Sequence, residues 1–143
     1  MHKILTLLIF VFTLTLSASG IEWSKDYNAG IEYAKKVNKP VLFVSSRHTC
    51  KYCVILDNTT FKDERVIEEL NTNFVSIISY SDDDDYIPKK LWHPGTPAIW
   101  FLLPDGEPMF QPLMGAINSK KILEARDVVR NEFKEQLNKG KTE

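Results

Sequence analysis

The chain has 143 residues, a length that predicts one domain, and no repeat or linker-like segment divides it. Hydrophobic residues make up 43% and charged residues 26% of the sequence, which are ordinary values for a soluble globular protein. Because the formal net charge is -1, the composition gives no case for binding to nucleic acid or to a membrane surface.

The N-terminal residues follow the order of features found in a secretory signal peptide. A positive start at His2 and Lys3 precedes an apolar run over 4–16, and small residues follow at 17–20. The apolar run is shorter than the roughly 20 residues that span a membrane. We therefore expect a cleaved signal peptide over residues 1–19 and a mature domain over 20–143. An uncleaved segment that anchors the protein to a membrane is the alternative.

The first half of the mature chain predicts a helix, a buried strand and two further helices. Ser24 is a good N-cap for the first helix, because apolar residues follow it at helical spacing, and Pro40 stops this helix. The apolar run 41–44 predicts a buried central strand. Helices are then predicted over 50–57, which contains no helix breaker, and over about 63–71.

The second half predicts three strands and a final helix. Residues 74–78 and 98–102 read as buried strands, and 108–114 returns as the partner in a hairpin, at an edge because its prolines cannot donate to a ladder. Ser119 is predicted to cap the last helix, which ends near Gly140. This order predicts an α/β protein with a central mixed sheet of about four to five strands and helices on both faces.

Four consecutive aspartates lie between two of these strands, at 82–85. Such a run most often forms a solvated loop tip. A calcium site is the alternative, although the glycine and the spaced acidic ligands of an EF-hand loop do not follow.

Two cysteines, Cys50 and Cys53, remain in a chain that we expect to be exported. Exported proteins normally use cysteines as structural bridges across long loops, and a bridge closing so short a loop adds little stability on the chain-entropy account. Redox chemistry is therefore the better explanation for this pair.

The position of the pair suits thiol–disulfide exchange, which needs a thiolate nucleophile and a nearby second sulfur. Cys50 would begin a helix, where the free N–H groups and the helix dipole favour a negative sulfur, and His48 and Lys51 add positive charge that would tune the thiolate. Cys53, one turn further on, suits the resolving role.

The element order, with Cys-x-x-Cys after the first buried strand and Thr-Pro before the hairpin, resembles the thioredoxin superfamily. Exported thioredoxin-like and disulfide-isomerase-like single-domain proteins resemble it most, over roughly residues 23–137. The matching segments are Lys39-Pro40-Val41-Leu42, Cys50 to Cys53 with Leu56, Thr60-Phe61-Lys62-Asp63, Val66 and Asn71-Thr72-Asn73-Phe74-Val75.

This resemblance implies a thioredoxin fold and a protein disulfide oxidoreductase with Cys50 and Cys53 as catalytic residues. It also implies that Pro97 is a cis-proline packed against the disulfide, and that the Thr96 backbone pairs with an extended substrate chain. Tyr52 and Trp92 are further candidates for substrate binding, although Trp92 is equally suited to anchor the core. No organic cofactor is implied, because the electrons travel through the sulfurs.

Three positions depart from the thioredoxin pattern. Thr49 replaces the tryptophan that often precedes the first cysteine, and Lys51-Tyr52 replaces Gly-Pro between the cysteines. Val44 stands where many relatives carry a buried acid that moves a proton to or from the resolving thiol. Loss of that acid is expected to slow deprotonation of Cys53, or to give the task to water or His48.

The resemblance favours a monomeric periplasmic reductase or isomerase, rather than an oxidase, that acts on protein thiols and disulfides and exchanges electrons with a membrane redox partner. Binding of Cu(I) or Zn(II) by a periplasmic chaperone on the same scaffold is the alternative. Its ligands would be His48, Cys50 and Cys53, with His93 as a fourth. A third class is a non-catalytic interaction domain.

Overall fold

The structure is a computed structural model that describes residues 19–141. The predicted signal peptide lies almost entirely outside these residues. Within residues 19–141, no helix combines the length and the apolar character needed to cross a membrane. The helices and strands are α1 (Tyr27–Val37), β1 (Val41–Ser46), α2 (Lys51–Asn58), α3 (Glu64–Asn73), β2 (Val75–Tyr80), β3 (Ala98–Leu102), β4 (Leu113–Met114) and α4 (Ser119–Lys139).

The four strands form one mixed sheet in the order β2-β1-β3-β4. β1 pairs in parallel with β2 and antiparallel with β3, so that Val44 lies opposite Ile78 on one side and Ile99 on the other. The parallel pair is joined by a crossover through α2 and α3, as parallel neighbours require. The predicted mixed α/β sheet is confirmed, with four strands.

Helices cover both faces of the sheet, because side chains alternate across each strand. Phe43 and Ile77 face α1, where they pack against Tyr27 and its neighbours. Leu42 and Val44 face the opposite side, where they form a second core with Leu56 of α2 and with residues of α3 and α4. All six residues of β1 are buried, so the strand that leads into α2 is held firmly at the centre of the protein.

Two predicted helix caps were wrong by one or two residues. Asp26, and not Ser24, caps α1, and its carboxylate accepts the N–H of Ala29 at 2.8 Å. The backbone of Ser24 instead donates to Ser76 at the edge of β2. Asn118, and not Ser119, caps α4, and its side-chain oxygen accepts the N–H of Lys121 at 2.9 Å.

The strand lengths also differ from the prediction. The expected 108–114 strand is reduced to the two residues of β4 and an isolated bridge between Leu102 and Pro108, because prolines interrupt donation to the ladder. β1 and β2 each run two residues further than predicted. Their added ends bring Ser46 opposite Tyr80, next to the start of α2.

Candidate active site

Cys50 is the N-cap of α2, with extended backbone angles of φ -86° and ψ 119°. Its sulfur accepts the backbone N–H of Cys53 at 3.3 Å. The sulfur therefore occupies the place that a serine or aspartate oxygen takes at other helix starts, among the N–H groups of the first turn. Both cysteines are free thiols in this structure.

The loop before β3 meets the Cys50 sulfur from the other side. The Cys50 thiol donates to the carbonyl oxygen of Thr96 at 3.3 Å. The Thr96–Pro97 peptide bond is cis, and Pro97 is buried. The carbonyl of Pro97 accepts the N–H of Gly115 at 3.0 Å, which ties this loop to the end of β4.

The two thiols differ in exposure. Cys50 is partly exposed, whereas Cys53 is 1% exposed and faces the core. A protein substrate can therefore reach the Cys50 sulfur first.

The pKa values of the two thiols shift in opposite directions. Burial raises the pKa of Cys50, but hydrogen bonds from the side chains of Cys53 and Thr96 and from nearby backbone N–H groups bring its pKa below the ordinary cysteine value. Burial, followed by the hydrogen bond with Cys50, raises the pKa of Cys53. A hydrogen bond from the Ser46 side chain opposes that rise. This arrangement makes Cys50 the better nucleophile at neutral pH.

The acidic turn after β2 holds the loop that precedes Cys50. His48 Nε2 lies 2.7 Å from Asp83 Oδ2, and the His48 ring stacks on Tyr80 with centroids 3.9 Å apart. The backbone N–H of Thr49 donates to Asp82 at 3.2 Å. The hydrogen bond to Asp83 raises the pKa of the His48 imidazole. Sequence reasoning missed these contacts, because they join residues more than 30 positions apart.

Two candidates for substrate binding lie on the surface. Tyr52, between the cysteines, is 58% exposed, and Trp92, before the Thr96–Pro97 loop, is 63% exposed. Trp92 therefore does not anchor the core, and its buried neighbour Leu91 does so instead. Lys51 is exposed at the first position of α2. The roles predicted for these side chains, and thiolate tuning by His48 and Lys51, stay predictions.

Among the described residues, the predicted metal ligands do not form one cluster. In the part of the chain that the structure describes, one group of three potential ligand side chains lies within 4.8 Å, and it consists of His48, Asp82 and Asp83, all exposed. Neither cysteine belongs to this group. His93 accepts the N–H of Gly95 within its own loop at 3.0 Å.

Comparison with known families gives a match over most of the chain. A family model named Thioredox_DsbH, whose description reads "Protein of unknown function, DUF255", matches residues 10–139. Anterior gradient protein 3 of Mus musculus is 27% identical over 80 residues, which cover 50% of this chain and 48% of that protein. The chain thus spans about half, or less, of the length of the curated relatives it matches first.

Solved structures share the fold. A thioredoxin from Thermus thermophilus superposes with a TM-score of 0.63 at 21% identity, over 78% of this chain and 86% of that chain. A structure titled DsbH Oxidoreductase superposes with a TM-score of 0.61 at 13% identity, over 82% of this chain and 90% of that chain. At these identities the likeness establishes the thioredoxin fold, which the motifs had predicted.

Proposed function

The chain belongs to the Thioredox_DsbH family, and we propose that it is a protein disulfide oxidoreductase that acts on exported proteins through Cys50 and Cys53. The observation that carries the proposal is the Cys50 sulfur, which is partly exposed at the start of α2 and has a lowered pKa, with a second thiol one turn away. These are the two parts that thiol–disulfide exchange requires.

In the reducing direction the reaction has two exchanges. The Cys50 thiolate attacks one sulfur of a substrate disulfide, a Cys50–substrate bond forms, and the other substrate sulfur leaves as a thiolate that takes a proton from solvent. The Cys53 thiolate then attacks the Cys50 sulfur and releases the second substrate thiolate. The Cys50–Cys53 pair loses two electrons, and the substrate gains them.

Isomerisation uses the same first step. If the released substrate thiolate attacks a different disulfide of the substrate and another substrate thiol then displaces Cys50, no net electron transfer occurs. The partly exposed Cys50 suits both reactions, and Cys53 provides an escape from mixed disulfides that do not rearrange.

The Thr96–Pro97 loop is the proposed docking edge for an extended substrate segment. The Thr96 carbonyl accepts the Cys50 thiol proton in this structure. Once Cys50 is a thiolate or part of a mixed disulfide, that proton is absent and the carbonyl is free to accept an N–H from the substrate backbone. The rings of Tyr52 and Trp92 are both exposed and would offer apolar contact to such a segment.

The proposed setting is the bacterial periplasm. Residues 1–19 would direct export, residues 20–143 would form the working domain, and the protein would act as a monomer. A membrane redox partner would keep the Cys50–Cys53 pair reduced, which favours the reductase and isomerase directions over the donation of disulfides.

Reduction of insulin tests the proposed activity directly. The mature domain, supplied with dithiothreitol, should accelerate insulin reduction, and a variant with both cysteines replaced by serine should give the uncatalysed rate. Equal rates for the two proteins would reject the activity. Recovery of a scrambled disulfide protein by wild type, but not by the double variant, would support the isomerase direction.

A further inference from the structure

We propose that Asp82 is a positioning residue for the nucleophile: by holding the residue before Cys50, it keeps the Cys50 sulfur at the start of α2, where a thiolate is stabilised. Asp82 lies in the turn after β2, 33 positions from the Thr49 backbone that it holds. The inference rests on the proposed function, because it concerns the sulfur that would attack the substrate. It goes further by assigning a role to a residue outside the Cys-x-x-Cys segment and the Thr96–Pro97 loop.

The loop that carries Cys50 to its place has little packing of its own. β1 ends at Ser46, and Cys50 is the N-cap of α2. The three residues between them, Arg47, His48 and Thr49, are all exposed. A backbone hydrogen bond from the N–H of Cys50 to the carbonyl of Arg47, at 3.3 Å, closes the loop on itself. The position of the loop therefore depends on contacts from a neighbouring element.

Asp82 supplies such a contact directly next to the nucleophile. Its Oδ2 accepts the backbone N–H of Thr49 at 3.2 Å. Burial raises the pKa of the Asp82 carboxyl, but hydrogen bonds from the backbone N–H groups of Thr49, of Asp82 itself and of His48 bring this pKa below its ordinary value. The carboxylate is therefore ionised at neutral pH, and a hydrogen bond to an ionised acceptor is of the stronger kind.

The turn that carries Asp82 is itself fixed to the sheet. β2 ends at Tyr80, and Asp85 closes the turn on it: Asp85 Oδ2 accepts the N–H of Tyr80 at 2.8 Å, and the N–H of Asp85 donates to the Tyr80 carbonyl at 3.2 Å. Tyr80 lies opposite Ser46 in the parallel register of β1 and β2. The turn and the loop thus leave the sheet side by side, so the Asp82 carboxylate is a fixed support for the loop.

A second contact ties the same turn to the same loop, but it holds a different part of it. Asp83 and the ring of Tyr80 hold the side chain of His48. The hydrogen bond to Asp82 holds the main chain immediately before Cys50. Because the main chain sets the direction in which Cys50 enters α2, Asp82 is the residue expected to control the position of the sulfur.

The position of the Cys50 sulfur decides its reactivity. The sulfur accepts the N–H of Cys53, and its thiol donates to the carbonyl of Thr96, both at 3.3 Å. A thiolate in this place faces the N–H groups of the first helical turn, which stabilise its charge. If the loop were released, the sulfur would move away from these groups and the thiolate would lose that stabilisation. Thr49 is exposed, so its side chain provides no packing that would replace the hydrogen bond to Asp82.

Two variants at this one position separate the hydrogen bond from the charge. Asp82→Asn removes the negative charge but keeps an oxygen that accepts the Thr49 N–H, whereas Asp82→Ala removes both. Because Asp82 is exposed, neither substitution disturbs the core. Alkylation of Cys50 by iodoacetamide, followed by mass spectrometry over a range of pH, gives the pH at which its rate is half-maximal. This pH should be higher in Asp82→Ala than in Asp82→Asn by about 0.4 to 1 unit, the shift equivalent to one hydrogen bond of ordinary net strength.

The attack on a substrate should follow the same order. Mixed-disulfide formation between Cys50 and a small disulfide peptide at pH 7 should be slower in Asp82→Ala than in Asp82→Asn. The matched control is Asp84→Asn, which removes a charge from the same turn at a residue with φ 58°, a conformation that asparagine tolerates. It should not raise the half-maximal pH of Cys50, because removal of a nearby negative charge favours the thiolate.

The outcomes for Asp82 and for the proposed function are distinguishable. Equal half-maximal pH values for Cys50 in Asp82→Ala and Asp82→Asn would overturn the positioning role, and the proposed function would stand as long as the wild-type protein reduces insulin. Failure of the wild-type protein to reduce insulin would overturn the proposed function, whatever the two Asp82 variants show.

Discussion

The sulfur of Cys50 lies 3.3 Å from the carbonyl oxygen of Thr96, although the two residues are 46 positions apart. This contact joins the start of α2 to the loop that enters β3. A second hydrogen bond, from the N–H of Cys53, fixes the same sulfur from within its own helix. The reactive atom is thus held between the start of α2 and the loop that leads into β3.

The first prediction concerns the reactivity of the two thiols. Iodoacetamide should modify Cys50 well before Cys53 at pH 7, because Cys50 is partly exposed with a lowered pKa, and Cys53 is buried with a raised pKa. Peptide mapping by mass spectrometry after timed quenching measures both rates. As the pH is raised, the Cys50 rate should reach half of its maximum at a pH below the ordinary cysteine pKa. Equal rates at the two sites would contradict the assignment.

The second prediction separates attack from resolution. Cys50→Ser should abolish disulfide exchange, because the exposed nucleophile is lost. Cys53→Ser should still attack a substrate and should accumulate mixed disulfides, because no second thiol releases them. Non-reducing gels of the variants with a disulfide-containing protein show the difference, and full insulin-reducing activity in both single variants would rule out the mechanism.

The third prediction concerns His48. Asp83→Asn should lower the pKa of His48 towards the ordinary value of 6.5, because its hydrogen bond to Asp83 is the main cause of the raised pKa. Titration of the imidazole resonances by NMR measures the change, and Asp105→Asn, a turn residue before β4, is the control. An unchanged titration in Asp83→Asn would show that the pair does not form in solution.

The same pair has a defined effect on stability. Since the pKa of His48 is raised in the folded protein, the contribution of the pair is fully present below the unfolded value of about 6.5 and is lost as the pH rises through the folded value. The difference in unfolding free energy between wild type and Asp83→Asn should therefore shrink from pH 6 to pH 8. A difference that grows over this range would contradict the sign.

The fourth prediction concerns the packing that supports α2. Leu56 is 1% exposed and lies on the inner face of α2, where it packs in the core against β1, α3 and α4. Leu56→Ala should lower the unfolding free energy by about 2–5 kcal/mol, as for other buried leucines. Val128 on α4 is 57% exposed, and Val128→Ala should change the unfolding free energy by less than about 0.5 kcal/mol. Urea unfolding followed by circular dichroism compares the two variants. A small change in unfolding free energy for both would contradict the buried placement of Leu56.

Features that depend on the local sequence pattern could be predicted from the sequence. The unbroken apolar run of β1 predicted a buried central strand, and Cys50 was expected at a helix start because no breaker follows it. The cap of α1 was wrong, because Ser24 and Asp26 are both good N-caps and sequence alone does not reveal that Ser24 bonds to the edge of β2.

The surroundings of the cysteines were much harder to predict. The aspartates at 82–85 were expected at a solvated loop tip, and they are exposed, but Asp83 also holds His48 through a contact that only the folded sheet creates.

The most direct test of the central claim is an equilibrium titration of the mature, metal-free protein in glutathione redox buffers, with acid quenching, alkylation and mass spectrometry. We expect one two-electron transition between the dithiol and an internal Cys50–Cys53 disulfide, at roughly -200 mV or lower for a protein that acts as a reductase or isomerase. A protein in which the two thiols never bridge, and instead stay reduced or react separately with glutathione, would contradict the account.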